Sequence, residues 1–357
     1  MADPVKVLVI DDSALVREVL AAGLDADPDI EVVGRAMDVY AARDKIVYRK
    51  PDVLTLDVEM PRMDGVTFLR RLMPQYPLPV VMVSSMTEKG SKITLDALEA
   101  GAVDFVLKPS MSIRYGLQDM IPDLIRKVKE AAKANVSGWK QEKVEAVEVT
   151  PQILEGSTDK VIAIGASTGG TTAITRVIQS FSATMPGTVI VQHMPPVFTK
   201  MFADTLNSTC KVEVSEARDG DRIITGRVLI APGGMHMEVV RSGGQYVVRC
   251  CEGEPVNGHC PSVDVLLYSV AANVGVNAVG AILTGMGADG ARGMVAMRQA
   301  GARTIAQDEA TSVVFGMPKE AYNQGGAERL VPLDRIGPAI GSLLSKKNEE
   351  QAETHAV

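Results

Sequence analysis

Cysteine is scarce in this chain and never arranged as a CxxC pair. Cys210, Cys250, Cys251 and Cys260 are the only four in 357 residues, and no two stand at CxxC spacing, which excludes a disulfide scaffold and a thiolate zinc module of recognised spacing. The opening MADPVKVLVIDD lacks the basic segment and long apolar core of a secretory signal, so free thiols in a reducing cytoplasm are expected. Positive charge is also short. A net charge of −7 gives no general attraction to nucleic acid or anionic lipid and favours a small or protein substrate. Residues 265–288 carry no charge over a length that could cross a bilayer, but Asn273, Gly275, Asn277, Gly280, Gly285 and Gly287 interrupt them. A buried helix, a turn and a buried strand fit that segment better than a membrane span. Internal repeats and long low-complexity blocks are absent as well.

What is present is apolar sequence in short strand-length runs. At 46% hydrophobic, the chain is long enough for two or more cores. VKVLVIDD reads as a buried strand ending in Asp11 and Asp12, followed by a helical pattern over 13–22. A second strand at 31–34 precedes a helix to about residue 48. PDVLTLDVEMPRMDG then sets Asp57 at the end of a third strand, VVMVSSMT ends a fourth at Ser84, and VDFVLKP ends a fifth at Lys108. Five strands alternating with helices predict a parallel doubly wound domain over 1–130. Asp11, Asp12, Asp57, Ser84 and Lys108 then converge at the carboxyl ends of the strands. Clustered carboxylates repel unless a cation neutralises them, and a hard oxygen-ligated ion such as Mg²⁺ suits them. Asp57 is thereby a candidate nucleophile toward phosphorus, with Lys108 placed to pair with a phosphoryl group.

Residues 131–159, rich in Lys, Glu, Ser and Thr with a lone Trp139, read as a linker, and 346–357 as a disordered tail. Between them, at 160–345, lies a second α/β region. VIAIGASTGG runs from a strand through a sharp turn into a helix and lifts Ser167 above the strand end, beside backbone N–H groups and a helix N-terminus. A dinucleotide-binding turn and a plain tight turn compete with the nucleophile reading of Ser167, although Ser replaces the second fingerprint glycine. TVIVQ ends at His193. HMEVV and YVVRC, joined by Ser242-Gly243-Gly244, suggest an antiparallel hairpin, and AVGAILTGMGADG leads from a buried strand to Asp289 before a helix. Asp289 alone reads equally as a helix N-cap. Taken together, Ser167, His193 and Asp289 supply the hydroxyl, imidazole and carboxylate of acyl transfer, in a chain order that differs from α/β-hydrolases. His236, His259, Cys250, Cys251 and Cys260 lie close in sequence without a recognised zinc spacing, and His259 in GHCPSVD fits the lining of a substrate pocket.

IDDS, LDVEMPRMDG, VSS and LKPS, in that order, resemble the receiver domain of two-component response regulators, which has a flavodoxin-like (βα)5 fold. The resemblance implies phosphorylation at Asp57 by a chemotaxis histidine kinase, and Mg²⁺ held by Asp12, Asp57 and the Glu59 carbonyl with Asp11 close by. It also implies switch roles for Ser84, Phe105 and Lys108, though Phe105 reads equally as a core residue. GASTGG, QHMPPVFT, APGGMHM, HCPSVDVL and LTGMGADG resemble the catalytic domain of the chemotaxis-specific protein-glutamate methylesterase. That implies hydrolysis of glutamate γ-methyl esters on chemoreceptor cytoplasmic domains, with glutamine deamidation as a second activity. Ser167, His193 and Asp289 carry over as its triad, and Thr168 and the N–H of Met286 as groups near the oxyanion. No cofactor is expected in this second domain, and neither nucleic acid nor membrane insertion is expected of the chain. A non-catalytic regulator whose second domain binds a nucleotide or protein is the alternative.

Overall fold

The computed structural model describes residues 3–85, 88–109, 113–137 and 159–354. Most of the expected linker, Trp139 included, lies outside the described residues. Packing divides the chain into two compact units, 1–144 and 145–357.

The first unit alternates β1 (Val5–Ile10), α1 (Ala14–Asp25), β2 (Ile30–Ala36), α2 (Val39–Arg49), β3 (Val53–Asp57), α3 (Gly65–Gln75), β4 (Val80–Ser85), α4 (Glu88–Glu99), β5 (Asp104–Lys108) and α5 (Ile113–Ala131). Its sheet is parallel in the order β2-β1-β3-β4-β5. β3 is buried throughout, as a strand covered on both faces must be, so Val53, Leu54 and Leu56 do not alternate with exposed residues. Ser13, Asp38 and Asp64 cap α1, α2 and α3, each accepting from a backbone N–H of the first turn and so starting each helix directly after its loop. The connections leave β1 and β3 in opposite directions. The crevice that this opens lies between Asp11 and Asp57.

The second unit contains β6 (Val161–Ala166), α6 (Gly170–Gln179), β7 (Gly187–Gln192), α7 (Phe198–Thr209), β8 (Glu213–Glu216), β9 (Arg227–Ile230), β10 (His236–Ser242) and β11 (Gln245–Cys251). It continues with α8 (Val263–Asn273), β12 (Ala278–Ile282), α9 (Ala291–Gln299), β13 (Arg303–Gln307), α10 (Met317–Asn323), β14 (Leu330–Val331) and α11 (Leu333–Thr354). Seven strands form one parallel sheet, β14-β13-β12-β6-β7-β9-β8. The hairpin β10–β11 stands apart as its own antiparallel sheet and packs against α8. One core joins sheet, helix and hairpin through Val189, Leu229, Val239, Leu266, Leu267 and Met294. The uncharged 265–288 segment is divided as its polar and glycine interruptions dictate, into α8, a short 3-10 turn and β12. No helix among the described residues is long and apolar enough to cross a membrane. Where a disordered tail is expected from 346, α11 continues to Thr354; the last three residues lie outside the described ones.

Candidate active site

Two crevices carry the chemistry-bearing residues, one in each unit. In the first, Lys108 Nζ lies 2.9 Å from Asp11 Oδ2 and 2.9 Å from Asp57 Oδ1. Oxygens of Asp11, Asp12 and Asp57 lie within 4.8 Å of one another, with Asp12 exposed and the other two buried. Burial pushes the Asp57 carboxyl up to about 6; the Lys108 ammonium opposes this and the Asp11 charge adds to it. Although burial works against it, Lys108 is held above the ordinary ammonium range by Asp57 and Asp11. Ser84 is fully buried with Thr94 Oγ1 2.6 Å from its hydroxyl, and Phe105 is buried with Lys127 Nζ 5.1 Å from its ring centre. The backbone N–H of Glu59 donates to Asp57 Oδ1 at 3.4 Å.

A stability prediction follows from Asp57. A carboxyl that holds its proton to about pH 6 when folded, but only to about 3.9 when unfolded, makes stability fall as pH rises between those values. In magnesium-free buffer Asp57→Asn should therefore be the more stable protein above pH 6, by roughly 2–3 kcal/mol. The gap should close as the pH is lowered toward 4. Urea unfolding of both proteins across that range measures it, and a gap independent of pH would contradict the assigned burial.

In the second unit Ser167 follows β6 and His193 follows β7, two neighbouring strands whose last paired residues are Ala166 and Gln192. The His193 N–H donates to the Ala166 carbonyl at 3.2 Å, which holds the two strand ends together. Connections diverge between β6 and β12, so the residues after β12 meet Ser167 at the switch point of this sheet. Thr284 underlies the turn. Its carbonyl accepts from Ser167 N at 3.0 Å, its hydroxyl bonds to Thr168 O at 3.0 Å, and its N–H donates to Gln307 at 2.8 Å. A Cβ on Gly285 would meet Ser167 Cβ at 2.8 Å and Met317 Sδ at 2.4 Å, so only glycine fits beside the serine. Gly169 takes φ of +74° at the N-cap of α6 and makes no side-chain cap bond there, while Gly170 N donates to the Ser167 carbonyl at 2.7 Å.

His193 Nε2 lies 2.8 Å from Asp289 Oδ2, with both side chains buried. That bond places the ring proton on Nε2 and the lone pair on Nδ1, which is buried without a hydrogen-bond partner among the described residues. Asp289 is not the cap of its own helix. Gly290 holds that position on α9, and the Asp289 carboxylate turns instead to the N-terminus of α8. There it accepts from Val263 N at 2.7 Å, Asp264 N at 3.2 Å, Ser262 Oγ at 2.8 Å and Asn257 Nδ2 at 2.8 Å. Burial alone would raise this carboxyl; the bond and charge of His193 and the donors from Asn257 and Val263 hold it far below the usual range. Asp289 therefore stays an anion facing the imidazole.

Of the other expected site residues, Thr168 is buried under the Ser167 turn and Met286 is half-buried in the turn after β12. His259 stacks on His193, with ring centres 3.7 Å apart and planes 10° from parallel. His236 uses both ring nitrogens on backbone groups, accepting from Ser262 N at 3.2 Å and meeting Glu254 O at 3.0 Å. Burial, with Asp219 and Asp221 next, pushes the Cys250 thiol up to about 12. Sequence inspection passes over Asn257, Ser262 and Asp264. The Asn-Gly pair at 257–258 is a hairpin signal that marks this loop, but nothing local points it at Asp289.

Residues 7–115 match the family described as response regulator receiver domain, and residues 162–340 the one described as CheB methylesterase. A protein-glutamate methylesterase/protein-glutamine glutaminase of Syntrophotalea carbinolica is 64% identical over 97% of this chain and 99% of its own length. One of Sulfurimonas denitrificans is 53% identical over 96% and 99%. The crystal structure of the Thermotoga maritima CheB methylesterase catalytic domain is 37% identical, with a TM-score of 0.51, over 52% of this chain and 98% of that one. Similarity that runs through both units, each built around its own crevice, shows that the chain belongs to the protein-glutamate methylesterase/protein-glutamine glutaminase family.

Proposed function

We propose that the chain is a cytoplasmic, phosphorylation-activated protein-glutamate methylesterase that hydrolyses glutamate γ-methyl esters on chemoreceptors and also deamidates selected glutamines. The observation that carries this reading is the 2.8 Å His193–Asp289 contact at the strand end beside Ser167, with Asp289 held ionised by four further donors. Ser167 attacks the ester carbonyl while His193 Nδ1 takes the hydroxyl proton, and Asp289 stabilises the imidazolium that results. His193 returns the proton to the departing methanol. Water, activated in the same way, releases the glutamate and restores the serine. Thr168 and the N–H of Met286, with the N-terminus of α6 beside Ser167, are the groups assigned to the oxyanion.

In the receiver unit Asp57 is the assigned phosphoacceptor, and Lys108 and Ser84 engage the phosphoryl group once it is attached. Asp11, Asp12 and Asp57 form a clustered oxygen donor set of the kind Mg²⁺ takes, two of them on one ammonium, and the Glu59 carbonyl is the further donor assigned to it. When bound, Mg²⁺ supplies charge neutralisation for an anionic phosphodonor, for which a chemotaxis histidine kinase is the assigned source.

The test is methanol release from a methylated chemoreceptor, with and without a small acyl-phosphate donor. The full-length protein should be stimulated by the donor. A fragment starting near Lys160 should exceed the unphosphorylated parent and ignore the donor, because a receiver that restrains the esterase is then gone. A fragment slower than that parent would mean that the receiver promotes catalysis rather than restraining it.

A further inference from the structure

The turn at residues 256–259 lies outside the proposed Ser167, His193 and Asp289 set, yet it touches two of the three. Val256 and His259 exchange both backbone hydrogen bonds at 3.0 Å, closing a two-residue hairpin turn over Asn257 and Gly258. Both central residues have positive φ, +54° and +81°, the geometry for which Asn-Gly is the favoured pair. This tight turn sends its flanking side chains in fixed directions. Asn257 reaches between two buried carboxylates, its Nδ2 lying 2.8 Å from Asp289 Oδ1 and 2.9 Å from Asp264 Oδ2. Asp264 is itself anchored, with Gly293 N donating to its Oδ1 at 2.7 Å. One amide nitrogen carries two protons, so a single Asn satisfies both acids at once. At the other end of the turn, the His259 ring lies flat against His193 at 3.7 Å.

We propose that the 256–259 turn is a positioning clamp for the His193–Asp289 pair, with Asn257 fixing the carboxylate and His259 fixing the imidazole plane. Asn257 shares Oδ1 with Ser262 Oγ and Asp264 N, and together they leave Oδ2 of Asp289 to His193 and Val263 N. Asp264 acts through Asn257, holding the amide in the orientation that points its protons at both acids. His259 blocks rotation of the His193 ring about the bond that carries it. These residues are assigned no bond to substrate and act through His193 and Asp289, so their loss should lower kcat and leave KM nearly unchanged. The inference rests on the esterase reading of the preceding section.

The experiment uses the full-length protein and methylated receptor, with thermal unfolding recorded for every variant. Asn257→Asp removes both donors and sets a third carboxylate against the other two; kcat should fall about 10–100-fold. His259→Ala should lower kcat by up to about tenfold, and His259→Phe, which keeps a flat ring over His193, should restore most of that loss. A rise in KM with kcat intact for either His259 variant would instead make His259 a substrate contact and overturn its half of the clamp. A second measurement does not depend on turnover. The proton on His193 Nε2, assigned by its loss in Asp289→Asn, should give a slowly exchanging downfield NMR signal in the parent and a broadened or absent one in folded Asn257→Asp and His259→Ala. An unchanged signal in both variants would sink the clamp. Should the parent and its Lys160 fragment release no methanol from methylated receptor, the esterase reading would fail while this signal still decides the positioning role.

Discussion

Ser167→Ala is expected to lower methanol release by about 10⁴-fold or more while leaving the unfolding transition in place. The side chain is small and half-buried at a strand-to-helix turn whose shape is set by Gly169, Gly285 and Thr284 rather than by its own hydroxyl. Removing the oxygen therefore removes the nucleophile and little else. Asp289→Asn should fall nearly as far, for a different reason. An amide facing His193 Nε2 cannot stabilise the imidazolium, and where its NH₂ group turns toward the ring the proton is driven to Nδ1, the nitrogen that must accept from Ser167. Because the three residues act as a unit, a Ser167→Ala, Asp289→Asn double variant should be no slower than Ser167→Ala alone. Initial rates on methylated receptor measure all three. Near-parental turnover by Ser167→Ala would remove Ser167 from the chemistry.

The second large effect is expected in the receiver. Asp57→Asn should take no phosphoryl group from a small acyl-phosphate donor, and the parent should take one only when Mg²⁺ is supplied. An ionised Asp57 beside Asp11 and Asp12 repels an anionic donor, and a single ammonium from Lys108 cannot offset three carboxylates and the donor together. Neutralising Asp57 by protonation does not help, because the protonated acid is not a nucleophile. Intact-protein mass spectrometry or radiolabel counting with and without chelator decides the point. Label retained in Asp57→Asn, or insensitive to chelator, would place the phosphoryl group elsewhere.

Much of this was legible in the sequence because strand periodicity and strand ends are local properties. VKVLVIDD, PDVLTLD and VIAIGAS each announce a buried parallel strand by a mostly apolar run, broken only by Lys6 and Thr55, and the candidate chemical residues stand at their carboxyl ends. Asn273, Gly275 and Asn277 likewise foretell that the uncharged 265–288 segment folds as helix, turn and strand. Ser167 and His193 are found by the same rule, each directly after a strand, while Asp289 stands at the far end of the glycine-rich turn between β12 and α9.

What stood beyond reach of the sequence was which distant groups meet. Asp289 looks like the cap of α9 because it precedes that helix, yet its carboxylate caps α8, which begins 26 residues earlier in the chain. That choice is made by the packing of α8 against α9 and by the free N–H groups at the start of α8, which an anion satisfies better than water can in a buried place. Asn257 carries no signal of its own beyond an Asn-Gly turn, and His259 is marked in the sequence only as a pocket-lining residue; their proposed roles come from where the loop between β11 and α8 is laid down. The hairpin β10–β11 was foreseen as a hairpin, but its separation from the parallel sheet was not, because periodicity fixes a strand's faces and not its partners. Sequence by itself determined the elements and which residues stand at their ends, since both depend on neighbours along the chain. Only the tertiary structure decided that one carboxylate would receive five donors from three separate segments, since burial forces such groups to find partners wherever the fold brings them.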